Sequence, residues 1–446
     1  MVYEHYRNSE KPGIGMIPVH WKCTSLRYAL SAIKDGTHGT YARTLDGEYL
    51  LSAKNVFPTG LQITDSDSRV SFEDYVSIIA NGFPSKGDVL FCGVGTIGRV
   101  CYYNYDKPYA FQRSVTFLRS NDKVNSRYLF YYLQSPNIED DEKLGSNGTA
   151  QAGLYMGEIV KLPMLIPPLD EQIAIAAYLD GKTAQINAIV AEAKASIEEY
   201  KQWKASIINE AVTKGLDPEA EMADSGDAVI GRIPKHWKMI KITRILDRTH
   251  PYAIGDGDHG LIKPTDYNDS GIPYIRVQNL GWGTNLNTEN IVYISEEKNE
   301  LIKNSTLRPN DILFAKTGAT IGKTAMVPEN MPIANTTSHV GKISVSDKYS
   351  ARFIFFVLSS QVGYEQFWAF ASAKTTRPEL TIDEIKSLRL PMPPTIEEQN
   401  SIVDYLDAIC PRMDSLILEK VELIKELEAY QKSLIFEAVT GKRKVV

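Results

Sequence analysis

Two segments of the chain carry an apolar side chain at every seventh residue. In the first, Leu179, Ile186, Ala193, Tyr200 and Ile207 recur, with Ile189 and Trp203 on an adjoining row. In the second, Leu406, Met413, Leu427 and Leu434 recur beside Leu416, Leu423 and Tyr430, and Lys420 is the polar member of the main row. Apolar rows at this spacing, with Glu and Lys between them, predict amphipathic helices that must bury a seam. The predicted helices cover residues 183–213 and 411–438. Each follows a Pro-Pro stop and a short helix that starts near Asp170 or Glu397. Breaks are expected at Gly181, because glycine destabilises a helix interior, and at Pro411, because proline suits only a first turn. Ahead of each helical segment lie short β-branched and aromatic runs such as Val89–Phe91, Val115–Leu118 and Ile312–Phe314, broken by Gly, Asn and Asp. These read as strands and turns. Helical pieces are expected near Ser126–Gln134 and Ser350–Ser360.

The same order occurs twice because the chain is an internal repeat. Ile14-Gly15-Met16-Ile17-Pro18-Val19-His20-Trp21-Lys22 returns as Ile230-Gly231-Arg232-Ile233-Pro234-Lys235-His236-Trp237-Lys238. Asp35-Gly36-Thr37-His38-Gly39 returns as Asp256-Gly257-Asp258-His259-Gly260, and Gly87-Asp88-Val89-Leu90-Phe91 as Asn310-Asp311-Ile312-Leu313-Phe314. Pro167-Pro168, Glu171-Gln172 and Tyr178-Leu179-Asp180 match Pro393-Pro394, Glu398-Gln399 and Tyr405-Leu406-Asp407. A period of this length means duplicated domains rather than a solenoid. The fold class expected is α+β: two tandem mixed α/β domains, 1–169 and 221–395, separated by helical regions 170–220 and 396–446, with a pseudo-twofold internal repeat. The two long helices are equivalent, and neither has another obvious partner. An antiparallel coiled coil within the chain is the economical arrangement; the alternative is that each helix only covers its own domain.

Composition adds little. With 446 residues, 43% apolar and 23% charged, the chain suits two or three folded domains. Cys23, Cys92, Cys101 and Cys410 lie far apart without a CxxC pair, which argues against a disulfide framework or a zinc knuckle and fits a reducing cytoplasm. The first residues form no apolar signal region, and no run approaches the ~18 apolar residues of a membrane span. The net charge is −6. All the negative excess falls on 170–220 and 396–446, while the larger blocks are near neutral. A neutral block can still present a basic face, so charge neither supports nor excludes a nucleic-acid partner.

Enzyme signatures are incomplete. Phe91-Cys92-Gly93-Val94-Gly95 spells the glycine turn that many methyltransferases use against S-adenosylmethionine, but the second copy, Phe314-Ala315-Lys316-Thr317-Gly318, loses the middle glycine. No Asn-Pro-Pro-aromatic or Asp-Pro-Pro-Tyr motif for a flipped adenine occurs. Gly318–Thr324 imitates a nucleotide-binding loop with one residue too few between its glycines. No metal site is expected, since no Cys or second His accompanies His38 or His259. His20 and His236, beside Trp21 and Trp237, read as packed corners where the chain enters each domain.

A block that opens with Ile-Pro-x-His-Trp-Lys and closes with Pro-Pro, Glu-Gln and Tyr-Leu-Asp precedes a long helix ending in Glu-Ala-Val-Thr. This whole unit is repeated once. Such a chain resembles the DNA specificity subunit of Type I restriction-modification enzymes over nearly its whole length. The resemblance implies a non-catalytic, cytoplasmic subunit that binds double-stranded DNA. Each target-recognition domain would read one short half-site, and the helices would form the spacer. It also implies two modification subunits as partners, which bind S-adenosylmethionine and methylate adenine, and restriction and translocase subunits; no cofactor is expected in this chain. About 30 helical residues at ~1.5 Å span roughly 45 Å, somewhat more than a duplex turn of ~34–36 Å. On this reading helix length acts as a ruler for the unspecified spacer. A stand-alone adenine methyltransferase and a coiled-coil protein-binding scaffold are the competing classes.

Base reading needs polar side chains on loops, and phosphate anchoring needs basic groups. Candidates in the first domain are Lys34, His38, Lys54, Asn55, Arg99, Gln112, Arg113, Thr149 and Gln151. In the second they are His259, Arg276, Gln278, Asn279, Lys316, Lys323, Asn335, Thr336, Lys374 and Arg377, and His339 is compatible with a loop contact. Lys54-Asn55 and Gln278-Asn279 fall in register, as do Arg99 and Lys323, which favours shared roles such as phosphate contact. Gln112-Arg113 against Thr336-Thr337 is the kind of mismatch that two different half-sites require.

Overall fold

A computed structural model describes residues 2–11, 13–135, 153–372 and 378–445. The chain forms two compact units, one of residues 1–194 with 421–446 and the other of residues 195–420. Each long helix is therefore divided between the units, and the helical regions do not stand apart as domains of their own.

In the first unit, β1 (Leu30–Asp35), β2 (Val89–Cys92), β3 (Val100–Tyr102) and β4 (Val115–Ser120) form an antiparallel sheet in the order β3-β2-β4-β1. β2 is buried at all four positions, as its unbroken apolar run requires. Helix α1 (Ser126–Tyr132) starts on Asn125, whose side chain accepts from the amides of Arg127 and Tyr128, and packs its aromatic face onto the sheet. In the second unit, β5 (Ile254–Asp256), β6 (Trp282–Asn285), β7 (Ile312–Ala315), β8 (Thr324–Met326) and β9 (Val340–Ile343) repeat the plan in the order β5-β9-β7-β8-β6. β6 is an added edge strand, parallel to β8. Helix α3 (Ala351–Ser359) stands where α1 does, capped by Ser350.

The repeated motifs are structural joints. Lys22–Ser25 pairs with Pro163–Ile166, and Lys238–Lys241 with Arg389–Met392, so each domain closes on the strand that leads into its long helix. At that joint Glu171 accepts from Trp21 Nε1 at 3.1 Å and lies 2.7 Å from His20 Nε2. Glu398 does the same with Trp237 at 2.8 Å and His236 at 3.0 Å. The adjacent Gln172 and Gln399 bond the carbonyls of Pro167 and Pro393 and accept from the amides of Asn125 and Ser350, which ties the helix start to α1 and α3. Asp180 and Asp407 complete the set by pairing with Arg127 and Arg352, each at 2.7 Å. The expected corners are packed at Trp21 and Trp237, while His20 and His236 stay exposed at their rim. Glu398→Ala should lower stability by about 2 kcal/mol, the scale of a charged hydrogen bond lost to a buried donor, Trp237. Glu398→Gln, which keeps an acceptor for Trp237, should lose less, and thermal unfolding of the two variants checks the order.

The long helices differ from expectation in two ways. First, there is no break: α2 runs without interruption over Leu169–Lys214 and α4 over Ile396–Val439, through Gly181 and Pro411. Gly181 costs about 1 kcal/mol and Pro411 about 3 kcal/mol in a helix interior. Burial on both sides outweighs them: Leu179 and Ile186 flank Gly181, and Leu406, Cys410 and Met413 flank Pro411. The helices are 46 and 44 residues long, so each runs to roughly 65–70 Å rather than 45 Å at ~1.5 Å per residue.

Second, the adjoining row of the seam lies on the other side. Leu179, Ile186, Ala193, Leu406, Met413 and Leu434 are buried as expected, and Tyr200, Ile207, Leu423 and Leu427 partly so. Ile189, Trp203, Leu416 and Tyr430 are exposed, Trp203 at 59%. The buried second row falls four residues after the main row, at Val190, Ile197, Cys410 and Ala438, with Ile417 and Ile424 half-buried. A three-residue step turns 60° short of a full helical turn and a four-residue step 40° beyond it, so the two choices fall on opposite flanks of the main row. Within the first unit Gln431 meets Asn187, and within the second Lys204 pairs with Asp414 at 2.6 Å. Partners climb one helix as they descend the other: the pair is antiparallel.

Candidate nucleic-acid interface

In each unit four loops converge beyond the ends of the central strands, held by one scheme of backbone hydrogen bonds. The first is the Asp-Gly-x-His-Gly loop, which packs against the third, between β4 or β9 and the strand before it. Thr37 N donates to Phe111 O and Arg113 N to Thr37 O; in the second unit Gly257 N donates to Thr337 O. The approach is close enough that a Cβ on Gly36 would stand 2.3 Å from Gln112 O, and one on Gly257 2.1 Å from Thr336 O. That is why this glycine appears in both copies. The second loop leaves β2 or β7 through Gly93 or Lys316. Gly93 N donates to Ser114 O at 3.1 Å and Lys316 N to His339 O at 3.0 Å. The fourth loop closes the set, with Leu154 N donating to Gly93 O at 2.7 Å and Leu380 N to Lys316 O at 2.8 Å. Residue 93 or 316 is thus the hub on which three loops meet.

The side chains on this shared frame differ. In the first unit Asp35 accepts from Thr116 Oγ1 at 2.6 Å, and exposed His38 lies 3.7 Å from its other oxygen. Gln112 is half-buried, Arg113 is exposed on the third loop, and exposed Lys34 lies over Gly82. In the second unit Asp256 accepts from the buried Lys316 ammonium at 2.5 Å and lies 3.2 Å from His259, which is 68% exposed. Glu379 approaches Lys316 to 3.5 Å, and Thr317 Oγ1 lies 3.2 Å from His339 Nδ1. The Phe91–Gly95 turn lies in this cluster, and burial pushes the Cys92 and Cys101 thiols up to about 12, which leaves them poor nucleophiles.

Five candidates are corrected, because their polar groups are consumed inside the fold. Asn55 and Asn279 occupy the same place in matching short turns: each accepts from a backbone amide (Ser52, Arg276) and donates to a carbonyl (Gln62, Asn287). Their register agreement therefore reflects a shared turn rather than a shared phosphate. Asn335 is bonded to Ser305, Asn299 and Ile302, and Thr336 to Ile275 O, both without exposure. Lys316 is buried in its ion pair. Lys54 pairs with Asp67 at 2.5 Å, and Arg276 lies along Tyr267 and donates to Asn290 O. Arg99 lies over Phe57 and Lys323 is half-buried at the matching hairpin position, while Gln278 is exposed on its turn. Thr149, Gln151, Lys374 and Arg377 lie outside the described residues. Asp35, Asp256 and Glu379 belong to the cluster but are not among the sequence candidates: the two aspartates stand inside the repeated motif but carry neither a basic, an amide nor a hydroxyl group, and Glu379 has no local signal.

The family model for the Type I restriction modification DNA specificity domain matches residues 64–199 and 254–429. The chain belongs to this family. The second loop cluster lies within the matched residues, and the first reaches beyond them to Asp35–Gly39. The chain is similar to the EcoBI specificity subunit, a type I restriction enzyme subunit of Escherichia coli, at 26% identity over 326 residues, which span 72% of this chain and 66% of that protein. It is also similar in fold to a chain from a type I R-M system structure, with a TM-score of 0.67 at 15% identity, covering 95% of this chain and 98% of that one. Among the described residues of this specificity-domain protein, no helix is long and apolar enough to cross a membrane.

Proposed function

We propose that this chain is the non-catalytic, cytoplasmic DNA-reading subunit of a Type I restriction-modification enzyme, each target-recognition domain binding one half of a bipartite duplex target. The observation that carries this reading is the doubled loop cluster: one backbone frame, built twice, bearing different side chains. Such a frame fits two readers of one kind that answer to two different short sequences. The helix pair docks two modification subunits, which supply S-adenosylmethionine and methylate adenine, and restriction and translocase subunits join that core. This chain's own residues bind and orient DNA and carry no bond-making step.

The test is a map of methylated adenines in cells that carry this chain with its cognate modification subunit. The expected result is a split motif, two short defined parts separated by several undefined bases. Exchanging residues 1–169 for those of another family member should alter one part and leave the other unchanged. A continuous motif, or both parts changing together, contradicts the proposal.

A further inference from the structure

We propose that the buried Lys316–Asp256 pair positions two exposed side chains, His259 and Glu379, as joint readers of one base pair in the second half-site. Glu379 would accept a hydrogen bond from the exocyclic amino group of cytosine or adenine. This inference rests on the function proposed above and assigns residues to it.

The first unit shows that the pair is not needed to build the loop frame. Gly93 makes the same two backbone bonds as Lys316, and a Cβ there would stand 2.3 Å from Leu154 O. Asp35 is satisfied by a hydroxyl instead of an ammonium. The second unit has replaced this arrangement with a desolvated ion pair, Lys316 and Asp256 each 8% exposed at the side chain. A buried pair offers little net stability over neutral packing, because desolvation offsets most of the attraction. What it does here is connect loops. Asp256 holds His259 of the first loop at 3.2 Å, and Lys316 draws Glu379 of the fourth loop to 3.5 Å. His259, 68% exposed, and Glu379, 48% exposed, are thus presented from opposite sides of one fixed charge pair.

A carboxylate facing duplex DNA is repelled by phosphates and is useful only where it accepts from a base amino group. The Lys316 ammonium behind Glu379 reduces that repulsion. His38 repeats His259, whereas the glycine at position 93 places no ammonium where Lys316 stands in the second unit. The Lys316–Glu379 contact is therefore a feature by which the two heads can differ in the base they accept.

The experiment measures binding of the full chain, assembled with its cognate modification subunit, to the methylation-mapped target. The panel includes duplexes carrying each single base-pair replacement. Glu379→Gln and Lys316→Met should each relax discrimination about 10-fold or more at one common position of the second half-site. Discrimination throughout the first half-site should stay unchanged, and Lys316→Arg should restore most of it. If Lys316→Met fails to fold, Glu379→Gln decides alone, since its carboxylate is half-exposed. The proposal is overturned if Glu379→Gln leaves every position within twofold, or weakens all duplexes equally. A wild-type assembly with no bipartite preference would instead sink the parent reading, so the two failures are distinguishable.

Discussion

Leu406→Ala will lower the stability of the second unit by about 2–5 kcal/mol, whereas Leu416→Ala will change it by less than about 0.5 kcal/mol. Both are leucines of α4, ten residues apart, and both fit an apolar heptad row in the sequence. Leu406 has no exposure and shares a core with Ile402, Cys410, Ala211 and Val212, so truncation removes transfer energy and leaves a cavity. Leu416 is 39% exposed and lies on the flank that faces away from the seam. Urea unfolding, together with hydrogen exchange over residues 402–413, measures the difference. Equal costs at the two positions would contradict the burial of Leu406 and the exposure of Leu416.

The second large effect concerns Lys342, which has no exposure in β9. Its ammonium donates to Thr306 O and lies 3.4 Å from His250 Nε2. Burial, with a smaller push from Arg308, lowers its pKa from 10.5 to about 8 against the pull of Asp311. Burial likewise raises the Asp311 carboxyl, and burial with the nearby Lys342 charge lowers His250 to about 4. The folded amine thus gives up its proton more readily than the unfolded one. Between pH 8 and 10.5 the unfolded chain binds more protons, so stability rises with pH across that window. At about 1.36 kcal/mol per pKa unit the gain approaches about 3 kcal/mol. In Lys342→Met this contribution is absent, so the difference in stability between wild type and variant should change by that amount from pH 8 to 10.5. Parallel pH profiles would refute the assignment. The matching position of the first unit is Phe117, and there Asp88, the counterpart of Asp311, is instead held by Arg119 at 2.8 Å.

The same contrast between frame and filling runs through the site. Asp35 and Asp256, His38 and His259, and Gly36 and Gly257 were visible as a motif written twice, because a loop that packs this tightly on its neighbour tolerates few alternatives. The identity of residue 93 or 316 as a hub was not visible. Its role comes from three loops distant in sequence, and one of its partners, Glu379, stands where the first unit has Gly153, so the repeat could not expose it. Asn55, Asn279, Asn335 and Thr336 have the chemistry of a base reader, but amides and hydroxyls that close turns cannot be told from those that face a ligand until burial is known.

The sequence by itself determined the duplication, the strand-rich domains, the two amphipathic helices and the corners at Trp21 and Trp237. Periodicity and repeated spacing are local properties, and each of these features is a consequence of them. Only the tertiary structure decided that Gly181 and Pro411 do not interrupt their helices, that the second seam row falls at Val190 and Cys410 rather than Ile189 and Leu416, and that Lys316 is buried. Those outcomes depend on how much surface a neighbouring element covers, a balance between a helix defect of a few kcal/mol and the burial on either side of it.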